Sequence, residues 1–368
     1  MRKPRIGFVL EQALGHVAYG MSLKKALAPR EDFEPVWLDV PYDLGEFGKL
    51  PLVGKNWTVR GSFRARRAIA EAHAEKPLDG LFVNTQTIGL FSGGFMAEIP
   101  TLLSLDATPI NYDELSPWYG DKVHAGPIEK AKLLAHRSVM KHVAWFTTWS
   151  EWAKGSLVRD YGARRERVTV LHPGTTLSHF PDPTTRGARR EGPLRLLFVG
   201  GDFKRKGGDL LLETFQKHFR GRCELHMITA AELPPEPGLF VYKGLKPHSE
   251  ELLRLYRESD VFVLPTRADC LAVVLGEAMA SSLPIITTRV GAHAEAVEDG
   301  DSGFVLDKDD AEGLRDRIER LLADPELLAK MGRRSRVVGE ERFDMQKNAD
   351  RIGDILVGLA RSGGVSPG

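Results

Sequence analysis

The sequence predicts two doubly wound α/β domains in tandem. Three observations carry this expectation. The chain has 368 residues, which at ~150 residues per domain suggests two domains. Each half alternates short apolar runs with helical segments, the signature of parallel strand–helix–strand units. Between the halves, FPDPTTRGARREGP (Phe180 to Pro193) is rich in Pro, Gly, Thr and Arg and has no apolar period. That stretch reads as a linker. The domains are therefore expected at residues 1–182 and 183–344. A C-terminal helix, 345–361, either caps the second domain or crosses back to the first.

In the first half, RIGFVL reads as a buried strand, followed by the glycine turn EQALGH and the helical stretch YGMSLKKALA. FEPVWLDV alternates as a strand does. LDGLFVNT, IPTLLSLD and VAWFTTWS are further strands, WAKGSLVRDYG is a short helix, and RVTVLHPG closes the half. After the linker the rhythm restarts. LRLLFVG is a strand and GGDLLLETFQKHF a helix. CELHMITA is a strand, SEELLRLYRESD a helix, and VFVLPT a strand. VVLGEAMASS is helical and PIITTRV a strand, and the helices DAEGLRDRIERLLAD and PELLAKMGRRSRVVGEER follow. Ligands of such sheets bind at the carboxyl ends of the strands.

Composition removes several functional classes. The hydrophobic fraction of 42% and charged fraction of 27% are those of an ordinary globular protein. A formal net charge of +1 gives no bulk reason to expect a nucleic-acid partner. The two cysteines, Cys223 and Cys270, form no disulfide framework and fit a reducing, cytoplasmic compartment. The N-terminal apolar run, Ile6 to Leu10, is too short for a signal-peptide core. No apolar run reaches the length of a spanning helix. The segment RGSFRARRAI carries Arg60, Arg64, Arg66 and Arg67 beside Phe63 and Ile69. A basic amphipathic helix of this kind can lie on acidic lipid as a peripheral contact, but a solvated helix face is the preferred reading.

Two stretches carry candidate chemistry. In FVGGDFKRKGGDLLLETF, a strand ends in Gly200-Gly201, a loop bears Lys204, Arg205 and Lys206, and Gly207-Gly208 opens a helix. Fixed cations beside close backbone approach and a helix N-terminus suit a diphosphate. The plainer alternative is a βα loop with solvated lysines. The second stretch places Asp269 after VFVLPT and Glu277 inside the next helix. Two carboxylates there can accept hydrogen bonds from sugar and ribose hydroxyls. Leu271, Ala272 and Val273 offer helix N-terminal amides to phosphate. The bland reading makes Asp269 an N-cap and Glu277 a surface residue.

Together these residues resemble the retaining family-4 glycosyltransferases of GT-B fold (glycosyl transferases group 1). The likeness rests on Gly200 with Lys206-Gly207, on Asp269-x7-Glu277 followed by Ala278-Met279-Ala280, and on Leu283-Pro284. It continues through Val290-Gly291-Ala292 and Asp299-Gly300-Asp301-Ser302-Gly303. It is strong in the second half and weak in the first. The resemblance implies two Rossmann-like domains facing a cleft, the first binding acceptor and the second donor. It implies that Lys206 and Arg205 hold a pyrophosphate, with Gly201 standing where the family has an arginine. Glu277 then meets the ribose and Asp269 the transferred sugar. Leu271-Ala272 replace a Phe-Gly pair. The nucleotide base meets backbone near Val241 to His248, including Lys243, Gly244 and Leu245.

In the first half, Leu14-Gly15-His16 matches the family's glycine loop, with a plain turn as the equal alternative. Asp106 stands where many members have a histidine, placed to receive a proton or orient a hydroxyl; its alternative role is to cap a turn before Pro109. Tyr112, Trp118 and Tyr119 line an acceptor pocket on this reading, with core packing a close rival. The implied reaction is glycosyl transfer with retention, without a cofactor or metal ion. The co-substrate is a nucleotide-diphosphate sugar, UDP-sugar favoured. The acceptor is a glycan, a lipid-linked sugar or a small molecule. The rivals are a nucleotide-sugar epimerase of the same fold and a non-catalytic nucleotide-sugar binding protein.

Overall fold

The computed structural model describes residues 2–13, 15–45, 56–119, 127–180 and 192–363, without the side chains of 127–129. The chain divides into two compact units. Unit 1 comprises Met1–Glu114, Lys122–Gly174 and Met345–Gly368; unit 2 comprises Leu115–Asp121 and Thr175–Asp344. The linker stretch 181–191 lies outside the described residues.

Unit 1 runs β1 (Arg5–Gln12), α1 (His16–Leu27), β2 (Glu34–Pro41), α2 (Trp57–Glu75), β3 (Gly80–Asn84), α3 (Gln86–Gly89), α4 (Gly93–Glu98) and β4 (Thr101–Leu105). It continues with α5 (Pro109–Leu115), α6 (Pro127–Met140), β5 (Trp145–Thr148), α7 (Glu151–Tyr161) and β6 (Val168–Val170). The strands form one parallel sheet in the order β2-β1-β3-β4-β5-β6. Every residue of β3 and β4 is buried, as expected of strands covered on both faces. The strand order reverses at β1, which makes the β1 and β3 ends the switch point of this sheet.

Unit 2 runs β7 (Leu194–Val199), α8 (Gly208–His218), β8 (Cys223–Ile228), β9 (Leu239–Tyr242), α9 (Glu250–Glu258), β10 (Val261–Leu264) and α10 (Val273–Ala280). Then come β11 (Ile285–Thr288), α11 (His293–Ala296), β12 (Gly303–Leu306), α12 (Ala311–Ala323) and α13 (Pro325–Arg342). Its sheet is parallel, in the order β12-β11-β10-β7-β8-β9. That is the dinucleotide-fold order, with the switch point between β7 and β10. Strands β9 and β12 and helix α11 were not marked in the sequence; β9 is a half-exposed edge strand with a weak apolar signal.

Helix α9 shows why these segments fold as they do. Ser249 caps it by accepting the Leu252 amide, Glu250 and Glu251 sit in the first turn, and Arg257 in the last. Leu252, Leu255 and Tyr256 form the buried stripe. The last helix, α14 (Met345–Ser362), buries Ala349, Ile352, Gly353, Leu356 and Leu359. It packs on α1, β3 and β4 of unit 1. Arg30 anchors it, with Nη1 donating to the Asp350 carbonyl at 2.7 Å and Nη2 2.8 Å from Asp354. No described helix is long and apolar enough to cross a membrane.

Candidate functional site

The carboxyl ends of β7 and β10 flank the switch point of unit 2, and the loops that leave them carry the candidate residues. After β7 the chain turns through Gly200 and Gly201 to Lys206. A Cβ on Gly200 would lie 2.9 Å from the Lys206 Cβ, so the glycine lets the lysine stem pack against the strand end. Gly201 faces open space. Gly207 has φ +76°, and a Cβ there would meet the Pro265 carbonyl oxygen at 1.9 Å. Only glycine fits, and this draws the two loops together.

Lys206 Nζ donates to Asp269 Oδ2 in an ion pair whose side chains are 14% and 12% exposed. Burial pushes the Asp269 carboxyl up, but the neighbouring positive charges, Lys206 foremost, together outweigh it and hold the group below the usual carboxylate range. Arg205 is equally engaged. Its Nε donates to Asp202 Oδ2 at 3.1 Å and its Nη1 to the Ala268 carbonyl at 2.8 Å. The guanidinium lies 4.4 Å from the Tyr119 ring centroid. Arg267 ties the same loops, donating to Asp209 at 2.6 Å and Asp309 at 2.5 Å, with Trp118 over it at 5.3 Å. Trp118 and Tyr119 belong to unit 2. Both rings lie over arginines of that unit, not in the unit assigned to the acceptor. Tyr112 is half-buried on α5.

Asp269 is not a helix cap. The N-cap of α10 is Ala272, which has no side-chain cap. Of the amides expected to be free at Leu271 to Val273, that of Ala272 is engaged, donating to His293 Nε2 at 3.3 Å. His293 is fully buried, and its Nδ1 lies 2.8 Å from Thr287 Oγ1. Burial pushes this imidazole down to about 4. Glu277 is buried too, not a surface residue: it accepts a hydrogen bond from Tyr256 Oη at 2.7 Å. Burial pushes its carboxyl up to about 7 against the pull of that bond. Sequence reasoning missed His293 and Tyr256; each acts on a residue 21 positions away, so no local spacing exposes them.

Further along the same edge, Ala230 N–H reaches the Gly201 carbonyl at 3.5 Å and Thr229 N–H the Tyr242 carbonyl at 3.2 Å. Lys243, Gly244 and Leu245 therefore follow β9, two strands from Gly200. Lys243 is exposed and pairs with Glu232.

In unit 1, Asp106 follows β4 and His16 opens α1. His16 Nε2 lies 3.8 Å from Asp106 Oδ2, and the His16 ring packs 5.2 Å from Trp149. Asp106 Oδ1 accepts from the Ala107 amide at 2.9 Å in the turn before Pro109, but it is not the residue that caps α5. Thr108 caps it, exchanging bonds with Asn111 at 3.0 to 3.2 Å. Gly15 has φ −65°, which asks for no glycine; Leu14 lies outside the described residues. The α2 arginines all have partners in unit 1. Arg60 is buried over Trp57, Arg64 donates to the Pro41 carbonyl, Arg66 to the Phe91 carbonyl, and Arg67 pairs with Glu71.

Residues 193–324 match the family model described as Glycosyl transferases group 1. The match covers this segment of the chain alone. It spans the whole β7–α12 region, including Gly200, Lys206, Asp269, Glu277 and His293. The D-inositol 3-phosphate glycosyltransferase of Geodermatophilus obscurus is 30% identical over 233 residues, 56% of this chain and 52% of that protein. The chain spans about half the length of the curated relatives it matches. Among solved structures, sucrose-phosphate synthase from Thermosynechococcus elongatus has a TM-score of 0.77 at 17% identity, covering 98% of this chain and 100% of that one. Anabaena HepE, in complex with UDP and glucose, has a TM-score of 0.68 at 16% identity, covering 95% and 98%. The fold of this chain is thus GT-B, with two parallel six-stranded sheets.

Proposed function

We propose that this chain transfers a sugar from a nucleotide-diphosphate sugar to a hydroxyl acceptor, with retention at the anomeric carbon and without a metal ion. The observation that carries the reading is Lys206. It is a shielded cation at the sheet's switch point, held by Gly200 and Asp269 within the segment that matches the group 1 family. Charge grows on the diphosphate as the sugar leaves. Lys206 and the N-terminus of α10 are placed to stabilise it, which is where electrostatic catalysis is most effective. Arg205 adds positive charge while fixing the Ala268 carbonyl. Glu277 receives the ribose hydroxyls, Asp269 the transferred sugar, and Lys243 to Leu245 the base. In unit 1, His16 and Asp106 orient the acceptor hydroxyl and take its proton. UDP is the favoured nucleotide, in keeping with the UDP bound to HepE. The acceptor is a glycan, a lipid-linked sugar or a small molecule.

Thermal unfolding against UDP, GDP, ADP and their sugars tests this. A nucleotide at a hundredfold excess over its Kd stabilises the fold by ~2.7 kcal/mol. Such a shift with one nucleotide, lost in Lys206→Ala, is expected. No shift with any of them overturns the donor assignment. An inverted product anomer by NMR overturns retention.

A further inference from the structure

We propose that His293 is a positioning residue that sets the Asp269–Val273 loop for the nucleotide sugar by accepting a hydrogen bond from the Ala272 N–H on Nε2. This rests on the reading of unit 2 as the donor site. The hydrogen-bond chain is directional. Thr287 Oγ1–H donates to the Leu264 carbonyl at 2.9 Å, so its oxygen accepts from His293 Nδ1–H at 2.8 Å. That leaves Nε2 as an acceptor, and the Ala272 N–H fills it at 3.3 Å. The imidazole is therefore the neutral Nδ1–H tautomer, fixed by the partner of its other nitrogen.

The same segment grips the loop through its backbone. Ala292 N–H donates to the Cys270 carbonyl at 2.8 Å. Gly291 has φ +53°, and a Cβ there would lie 2.2 Å from the Asp269 carbonyl oxygen. The groups facing the imidazole are Thr287 from β11, the Ala272 amide, and Asp269, whose Oδ2 lies 4.0 Å from Nε2. Asp269 in turn holds Lys206. His293 thus engages the Ala272 amide internally and, with the Ala292 and Gly291 backbone, packs against the loop that carries the Asp269–Lys206 pair. Ground-state placement of this kind governs binding as much as turnover. A protonated imidazole has two donors and no acceptor, so the Ala272 bond exists only with neutral His293.

The test is nucleotide affinity by calorimetry with UDP, GDP and ADP, on the parent, His293→Ala and His293→Gln, alongside urea unfolding. Glutamine keeps an amide oxygen able to accept from Ala272. The expected result is an affinity about tenfold weaker in His293→Ala and restored to within about threefold in His293→Gln. A parent that binds and a His293→Ala that binds equally well overturns the positioning role alone. A parent that binds none of the nucleotides overturns the donor-site reading and this proposal with it. Should His293→Ala fail to fold, ¹⁵N histidine spectra of the parent decide. An unprotonated Nε2 whose resonance moves on adding the bound nucleotide supports the role, and a protonated or unresponsive Nε2 overturns it.

Discussion

Tyr256 Oη donates to Glu277 Oε2 at 2.7 Å, joining two buried side chains from α9 and α10. Tyr256→Phe leaves the carboxylate without its donor. An unsatisfied buried group costs ~1–3 kcal/mol, so urea unfolding at neutral pH is expected to show a loss of that size. An unchanged midpoint and slope would mean that the carboxylate finds another partner.

The same carboxylate makes stability depend on pH. Glu277 titrates at 4.5 in the unfolded chain and about 7 in the fold. Between these values the folded state keeps a proton that the unfolded state has released. Stability therefore falls as pH rises across the window, by up to ~3 kcal/mol, and levels off above it. His136 and His293 act in the opposite sense. Burial pushes each from 6.5 down to about 4, so stability falls as pH drops from 6.5 towards 4. Urea unfolding from pH 4 to 8 on the parent, Glu277→Gln and His136→Asn separates them. Glu277→Gln is expected to lose the decline towards neutral pH, and His136→Asn to lose part of the acid decline.

Lys206 and Asp269 are each shielded and each other's counter-charge. Removing one partner strands the other, a cost of ~3–5 kcal/mol for buried pairs. Lys206→Met and Asp269→Asn are each expected to unfold at lower urea, and the double variant to cost less than their sum. Strict additivity would show that the two charges do not compensate one another.

Gly207→Ala places a methyl group against the Pro265 carbonyl at a backbone angle of φ +76°. The expected loss is ~2 kcal/mol or more of stability, with nucleotide affinity falling alongside because Lys206 is its chain neighbour. Unchanged affinity in a folded variant would detach the turn from the ligand site.

His16 and Asp106 face each other at 3.8 Å within unit 1. Asp106→Asn keeps the shape and removes the charge. A general base typically contributes ~10²-fold or more, so kcat should fall by about that factor while nucleotide affinity in calorimetry stays that of the parent. Equal loss of both would place Asp106 in structural support instead.

Much of this was legible along the chain. Buried apolar runs such as RLLFV and VFVL announce β7 and β10, because a strand covered on both faces needs apolar residues at successive positions. Gly200, Lys206, Asp269 and Glu277 were visible because glycine turns, cations and carboxylates recur at short spacings around one strand–helix junction. Strand β9 was missed because its half-exposed LFVY sits in a stretch with little apolar contrast. Asp106 closes on the Ala107 amide while Thr108 caps α5, a division between neighbours that composition does not rank.

What the sequence by itself determined is the alternation of strands and helices, the doubly wound class and the residue types at the switch point of unit 2. These depend on local periodicity and backbone freedom, which are properties of neighbouring residues. Only the tertiary structure decided the rest. It assigned α14 to unit 1 and residues 115–121 to unit 2. It turned Asp269 onto Lys206 and set His293 against Ala272. It also enclosed Glu277 with Tyr256. Each of these depends on which surfaces meet when sheet and helices pack, and burial then sets protonation and pairing through desolvation. A linear pattern carries no record of those meetings.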